Sequence, residues 1–208
     1  MSTELIFKVA FFALSGSLVA VRGFFGWQAR RAGLSSWFED DPAPEREGNP
    51  SGLLSVVIPL GFLGLLVLYG VSSWLTAPLP PWLRWVGVGL GVMSLPLQIW
   101  VHGTLQVHWV AARQRGESHA LITSGPYRWV RHPMYGALLL LFVGLALTSA
   151  FWPFLLLVGL AIPFFHRTAG QEEGIMIARF GGVYRDYVRR TGRFLPRLRI
   201  TVRQEVTR

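Results

Sequence analysis

The amino-acid sequence predicts an all-α polytopic membrane protein of about five transmembrane helices, with its N-terminus outside, a C-terminal helical hairpin and a cytoplasmic C-terminus. Three observations lead there. The 208 residues are 51% hydrophobic and 15% charged, with a positive mean hydropathy, far from the balance of a soluble domain. Apolar stretches recur at lengths suited to a bilayer, which takes about 20 residues of helix. Basic residues cluster on alternate connections, as the positive-inside rule requires.

The first span is Leu5 to Val21, extending to Trp27; the second is Leu53 to Leu75 and the third Trp82 to Val101. The fourth segment, Met134 to Thr148, and the fifth, Phe151 to Phe165, are parted only by Ser149 and Ala150. As one helix they would be about 48 Å long at roughly 1.5 Å per residue. A hydrocarbon core is about 30 Å thick, so a tight hairpin fits better. Beyond it, Arg167 to Arg190 reads as a helix interrupted at Gly181 and Gly182, with Phe180, Tyr184 and Tyr187 on one face.

Charge placement tests the hairpin independently. Arg30, Arg31 and Arg46 lie between spans one and two, Arg113, Arg115, Arg128 and Arg131 between three and four, and ten of the 20 basic residues follow Phe165. The other side holds little more than Arg84. One fused helix in place of the hairpin would put the Arg-rich tail on the wrong side.

The net charge of +9 is thus explained by topology and by attraction to anionic lipid. No interleaving of basic and aromatic residues suggests a nucleic-acid platform. Cysteine is absent, which excludes disulfides, thiolate metal sites and cysteine nucleophiles together. His102 and His108 lack an acidic neighbour and read as interfacial histidines, not as a metal pair. The N-terminal segment, with Glu4 ahead of its apolar run and only Lys8 inside, reads as a retained first span and not as a cleaved signal. The connection SSWFEDDPAPEREGNPSG, with three prolines and five acids, reads as a solvated loop.

Chemistry concentrates in SGPYRWVRHPMYG. Pro133 suits the first turn of a helix, where its missing N–H is an orphan anyway, and it drives His132 towards an extended conformation. The helix start then joins Arg128, Arg131 and His132 in a lip suited to an anion at the membrane surface. The turn Ser124, Gly125, Pro126 brings Tyr127 and the segment from His119 to Thr123 to the same point. Because the hairpin returns to the face it left, the adjacent acids Glu172 and Glu173 are expected beside these arginines.

In the order HALITSGPYRWVRHPMYGA, apolar hairpin, then QEEGIMIARFGGVYRDYVRRTGRFLP, the chain resembles the isoprenylcysteine carboxyl methyltransferase and phospholipid methyltransferase superfamily of membrane enzymes. The resemblance covers about His119 to Pro196; spans one to three match only in being hydrophobic. It implies S-adenosylmethionine as methyl donor, bound by the C-terminal half, residues 104–208, without a Rossmann domain, while residues 1–103 supply three helices and the acidic loop of one membrane domain. No glycine-rich dinucleotide fingerprint is present, in agreement. Carried over by position, His119, Ile122, Gly125, Tyr127, Arg131, His132, Pro133, Tyr135, Glu172 and Glu173 form the cofactor pocket, and Arg131, His132 and Glu173 are the catalytic candidates. The helix start and a basic side chain suit the methionine carboxylate. A glutamate can accept from ribose hydroxyls or the amino group, and Tyr127 or Tyr135 can pack on sulfonium or adenine.

Methyl transfer from a sulfonium is an in-line displacement that needs alignment and exclusion of water, and no metal. The apolar walls of spans two to four imply a lipid-like acceptor entering from the bilayer: a carboxylate, an amine or a thiol. A non-catalytic scaffold or small transporter of the same fold is the alternative, with little support from the few polar residues inside the spans, such as Gln98. Two expectations are sharp enough to test. Arg131→Ala should leave folding nearly unchanged, as for an arginine on a surface lip, with Arg203→Ala as control. Glu173→Gln should chiefly weaken cofactor binding.

Overall fold

The computed structural model describes residues 3–32, 51–72, 74–114 and 121–197, and within them it is all helical. The acidic loop, His119 and Arg203 lie outside the described residues. Six α-helices follow in order: α1 (Thr3–Arg31), α2 (Ser51–Val71), α3 (Pro81–Gln114), α4 (Pro133–Ser149), α5 (Trp152–Phe180) and α6 (Gly182–Arg190). A short 3₁₀ turn, Gly125–Arg128, precedes α4. Residues Thr3–Arg31, Pro81–Val107 and Trp152–Phe180 are each long and apolar enough to cross a bilayer.

The seventeen residues of α4 rise only about 25 Å, and the helix is apolar on every side. Such a helix belongs inside a bundle, and there it lies, with Ala137, Leu141 and Leu145 wholly buried. On one flank α1 and α3 run in the same direction: Phe7 meets Trp85, Gly91 faces Leu14, and Phe25 stacks on His102. Against them α4 runs the other way. A β-carbon on Gly87 would meet the Thr148 nitrogen at 2.6 Å, and one on Gly144 would meet the Gly91 nitrogen at 2.6 Å. Lipid tails are as apolar as leucine, so close backbone approach over small residues is what holds membrane helices together. Aromatic packing of Phe11, Tyr69, Phe151 and Phe154 joins α1, α2 and α5 around the same core.

The hairpin forms at the expected place. Ala150 takes a left-handed conformation (φ 54°) and donates to Ala146 O, closing α4, and α5 begins two residues later. Its tip is sewn to the connection after α2: Ala77 N–H donates to Ala150 O, and Trp152 N–H donates to Leu75 O. At this same end Arg84 of α3, the lone base expected there, is buried against α1 and α4. Its Nε donates to Thr148 O at 3.0 Å, its Nη1 pairs with Glu4, and its guanidinium lies 4.0 Å from the Phe7 ring centre.

Two boundaries differ from expectation. The third helix does not stop at Val101 but continues to Gln114: no proline interrupts the stretch, Gly103 is tolerated inside it, and the Thr104 hydroxyl is absorbed by Trp100 O of the preceding turn. His102 is buried within the bundle, its Nδ1 2.8 Å from Gln98 O. The fifth helix likewise continues past Phe165 to Phe180, so the segment after Arg167 is no separate element until Gly181, whose φ of 56° ends it.

Candidate active site

At the end opposite the hairpin tip, the start of α4 meets the far half of α5, α6 and the segment after it. Pro133 is the first residue of α4, and His132, at φ −122° and ψ 60°, stands just outside the helix. The approach is set by Gly125, whose φ of +57° suits glycine and whose missing β-carbon makes room for the Thr104 hydroxyl of α3. Pro126 is buried, Ile122 and Tyr127 half-buried.

The chain after α6 returns as a strap. Arg131 N–H donates to Gly192 O, His132 N–H to Arg193 O, and Gly192 N–H to Trp129 O. Residues 129–132 and 191–193 thus lie side by side in parallel. A β-carbon on Gly192 would collide with the Leu195 carbonyl, so glycine is needed where the strap bends.

Within this frame the two acids do different work. Glu173, its side chain 10% exposed, accepts from Arg131 Nε at 2.9 Å, Arg193 Nε at 3.1 Å and Arg193 Nη2 at 2.6 Å. Both its oxygens are engaged by guanidinium groups. Glu172 is 43% exposed; it accepts from the Tyr135 hydroxyl and lies 3.2 Å from His132 Nδ1. His132 Nε2 is 3.3 Å from Glu173 Oε1 but out of hydrogen-bonding alignment, and so remains a buried polar atom without a partner. The Tyr135 ring is stacked between His132 and Phe165, at 5.6 and 4.8 Å. Rings cover both its faces, which leaves the hydroxyl as its polar contact.

Arg131 is not the surface residue expected. Its side chain is 9% exposed, and Nη1 donates to Val188 O, Thr191 O and Thr191 Oγ1, satisfying carbonyls at the C-terminal end of α6. The basic groups of the lip are therefore held by the protein's own carboxylates and carbonyls instead of waiting for an outside anion. Arg128 does lie exposed, 5.4 Å from the Trp129 ring centre, away from the acids.

Three tyrosines close the back of the site. Tyr187 donates its hydroxyl to Tyr127 O at 2.6 Å, and Tyr184 packs edge-on to Tyr187. Burial raises all three above the ordinary tyrosine range; Tyr184, also facing the charge of Glu173, is pushed up to about 12. They stay neutral near pH 7 and are donors, not bases. The bond to Glu173 holds the Arg193 guanidinium still more firmly protonated.

Of the residues expected at the site, the structure gathers Arg131, His132, Pro133, Tyr135, Glu172 and Glu173, with Gly125 and Tyr127 on the adjoining turn. Arg193, Thr191 and Phe194, whose ring centre lies 6.2 Å from that of His132, were not anticipated. Arg-Phe-x-Pro was visible as a pattern, but only the strap's return shows that its arginine meets Glu173. Among the described residues, no three His, Asp or Glu side chains are grouped to hold a metal ion.

Comparison with known proteins follows the same geography. The family model for phospholipid methyltransferase matches residues 82–182. That stretch takes in α3 as well as α4 and α5, and ends before the strap. The nickel-cobalt-cadmium resistance protein NccN of Alcaligenes xylosoxydans xylosoxydans is 28% identical over 148 residues, which cover 71% of this chain and 64% of that protein. The cobalt-zinc-cadmium resistance protein CzcN of Cupriavidus metallidurans is 29% identical over 148 residues, covering 71% and 63%. The chain thus spans less than two thirds of the length of these relatives.

Proposed function

From the match of residues 82–182 to the phospholipid methyltransferase family, within the isoprenylcysteine carboxyl methyltransferase and phospholipid methyltransferase superfamily of membrane methyltransferases, we propose that this chain transfers a methyl group from S-adenosylmethionine to a lipid-like or small hydrophobic acceptor. The observation that carries the reading is the convergence of Glu172, Tyr135, His132 and the Arg131–Glu173–Arg193 cluster at one helix start. The residues fit a zwitterionic cofactor: Glu172 is partly open, and His132 Nε2 is a buried atom in want of a partner. When bound, the cofactor supplies a methyl carbon already activated on a sulfonium.

The protein's share is then alignment and exclusion of water. Glu172 receives the amino group or a ribose hydroxyl. Arg131 and Arg193 hold Glu173, and through it α5, against the α4 start, so that His132 and Tyr135 keep their positions. Glu173, held by two guanidinium groups, is a poor proton acceptor. If the acceptor is an amine or thiol, the base is His132 or Glu172; a carboxylate acceptor needs none.

The names of the relatives suggest growth under nickel, cobalt, zinc or cadmium as a setting, with the methylated molecule an organic one in or near the bilayer. Two tests apply. In detergent, S-adenosylhomocysteine at a hundredfold excess over Kd should stabilise the fold by about 2.7 kcal/mol. A melting temperature unshifted by millimolar ligand would favour a scaffold or transporter of the same fold, and labelled methyl transfer into total lipid or a panel of thiols, carboxylates and amines separates the acceptor classes. Topology is tested apart from chemistry. Five crossings, with the N-terminus outside and the site facing the cytoplasm, predict that reporters fused at Thr76 and Arg208 report opposite compartments. Finding both on one side would remove the five-crossing arrangement.

A further inference from the structure

On α6 the polar and apolar residues are sorted by direction. Tyr184, Tyr187 and Val188 point inward, to the Tyr127 turn and Arg131. Outward stand Arg185, Asp186, Arg189 and Arg190, with Val183 68% exposed at the edge. Asp186 offsets little, since its nearest contact is Arg189 at 3.8 Å with both side chains more than half exposed. The strap adds Arg197, whose Nη1 rests on the Arg189 carbonyl, and Leu195, 78% exposed. Cationic heads mixed with protruding apolar side chains, one glycine beyond the end of a membrane-crossing helix, have the composition of an element that lies in a headgroup layer.

We propose that α6 and the strap, residues 182–197, dock on anionic phospholipid headgroups of the leaflet at the lip end of the bundle, and that this docking holds the strap across the site. Charge complementarity selects anionic over zwitterionic lipid. The link to the site is direct and short: Arg131 caps the α6 end that the lipid would hold, and Arg193 of the strap grips Glu173. Neither step depends on methyl transfer.

The test uses the full chain in nanodiscs of phosphatidylcholine alone or with phosphatidylglycerol, and reads amide hydrogen exchange over 182–197. The expected result is exchange slowed about tenfold in the anionic discs at low salt, the slowing lost at high salt, with α4 unchanged. The double variant R185Q/R190Q should lose the slowing, whereas R185K/R190K should keep it, because charge and not the guanidinium shape does the docking. These side chains are exposed, so equal exchange of parent and variants in phosphatidylcholine is expected. Equal protection in both lipid mixtures overturns the proposal. So does protection that follows an acidic polymer added to phosphatidylcholine discs but not phosphatidylglycerol, which would make the surface a docking site for a soluble partner.

Discussion

Arg131→Ala should cost both stability and turnover. The guanidinium is buried and serves Glu173, Val188 and Thr191 at once, so removing it strands carbonyls at the α6 end and half of a buried ion pair. Breaking a buried pair by deleting one partner costs about 3 kcal/mol or more; Arg193, still bound to Glu173, keeps the loss towards the low end of that range. Turnover should fall on the order of 10²-fold or further, because the helix start, His132 and the strap all lose their reference point. Arg131→Lys should recover part of the stability, as a point charge can reach Glu173 but cannot also span two carbonyls. Arg128→Ala, on an exposed arginine of the same motif, should change neither quantity much. A melting curve and a turnover assay on these three proteins decide the matter. Were Arg131→Ala as stable and as active as the parent, the lip would be a lipid anchor and the site would lie elsewhere.

Gly144→Val should disable the molecule far from any chemistry. The space that its side chain needs is filled by the Gly91 nitrogen, at 2.6 Å from the first carbon alone, and by the Gly87 carbonyl oxygen at 2.9 Å. These are backbone atoms with no rotamer to change. The helices must separate, at a cost of about 3 kcal/mol or more, and with them goes the packing of α4 on α3, the helix against which the Gly125 turn is seated. Loss of monodisperse protein on size exclusion in mild detergent, or a large fall in melting temperature, is the expected readout. Gly89 lies in the same GVGLG run, but a β-carbon there would meet no atom within 4 Å; Gly89→Ala should be tolerated. If both variants behave alike, the α3–α4 contact is not what holds the bundle.

The hairpin and the α4 start were legible because each rests on a local rule: bilayer thickness against run length, and the backbone chemistry of proline. The nearness of Glu172 and Glu173 to His132 followed from the hairpin alone. The length of α3 was misread because hydropathy ends at Val101 while helicity does not. Arg131 was misread for a related reason: its position beside a membrane span suggested exposure, whereas Glu173 of α5, the end of α6 and the strap together enclose it. The strap itself, and with it Arg193, has no periodic signature, since its contacts come from a single return of the chain. Gly87, Gly91 and Gly144 are among 23 glycines, and nothing in their spacing tells which ones face another backbone.

The strap also sets an order of events during synthesis. Helices α1 to α5 are complete by Phe180, yet the groups that close the lip, Thr191 to Arg193, emerge only after α5 has been made. A chain still on the ribosome therefore carries Glu173 with one of its two arginines missing and Arg131 without the carbonyls it will cap. The strap is therefore the last part of this end of the bundle to be made, and until it returns the α4 start lacks the backbone bonds from Gly192 and Arg193.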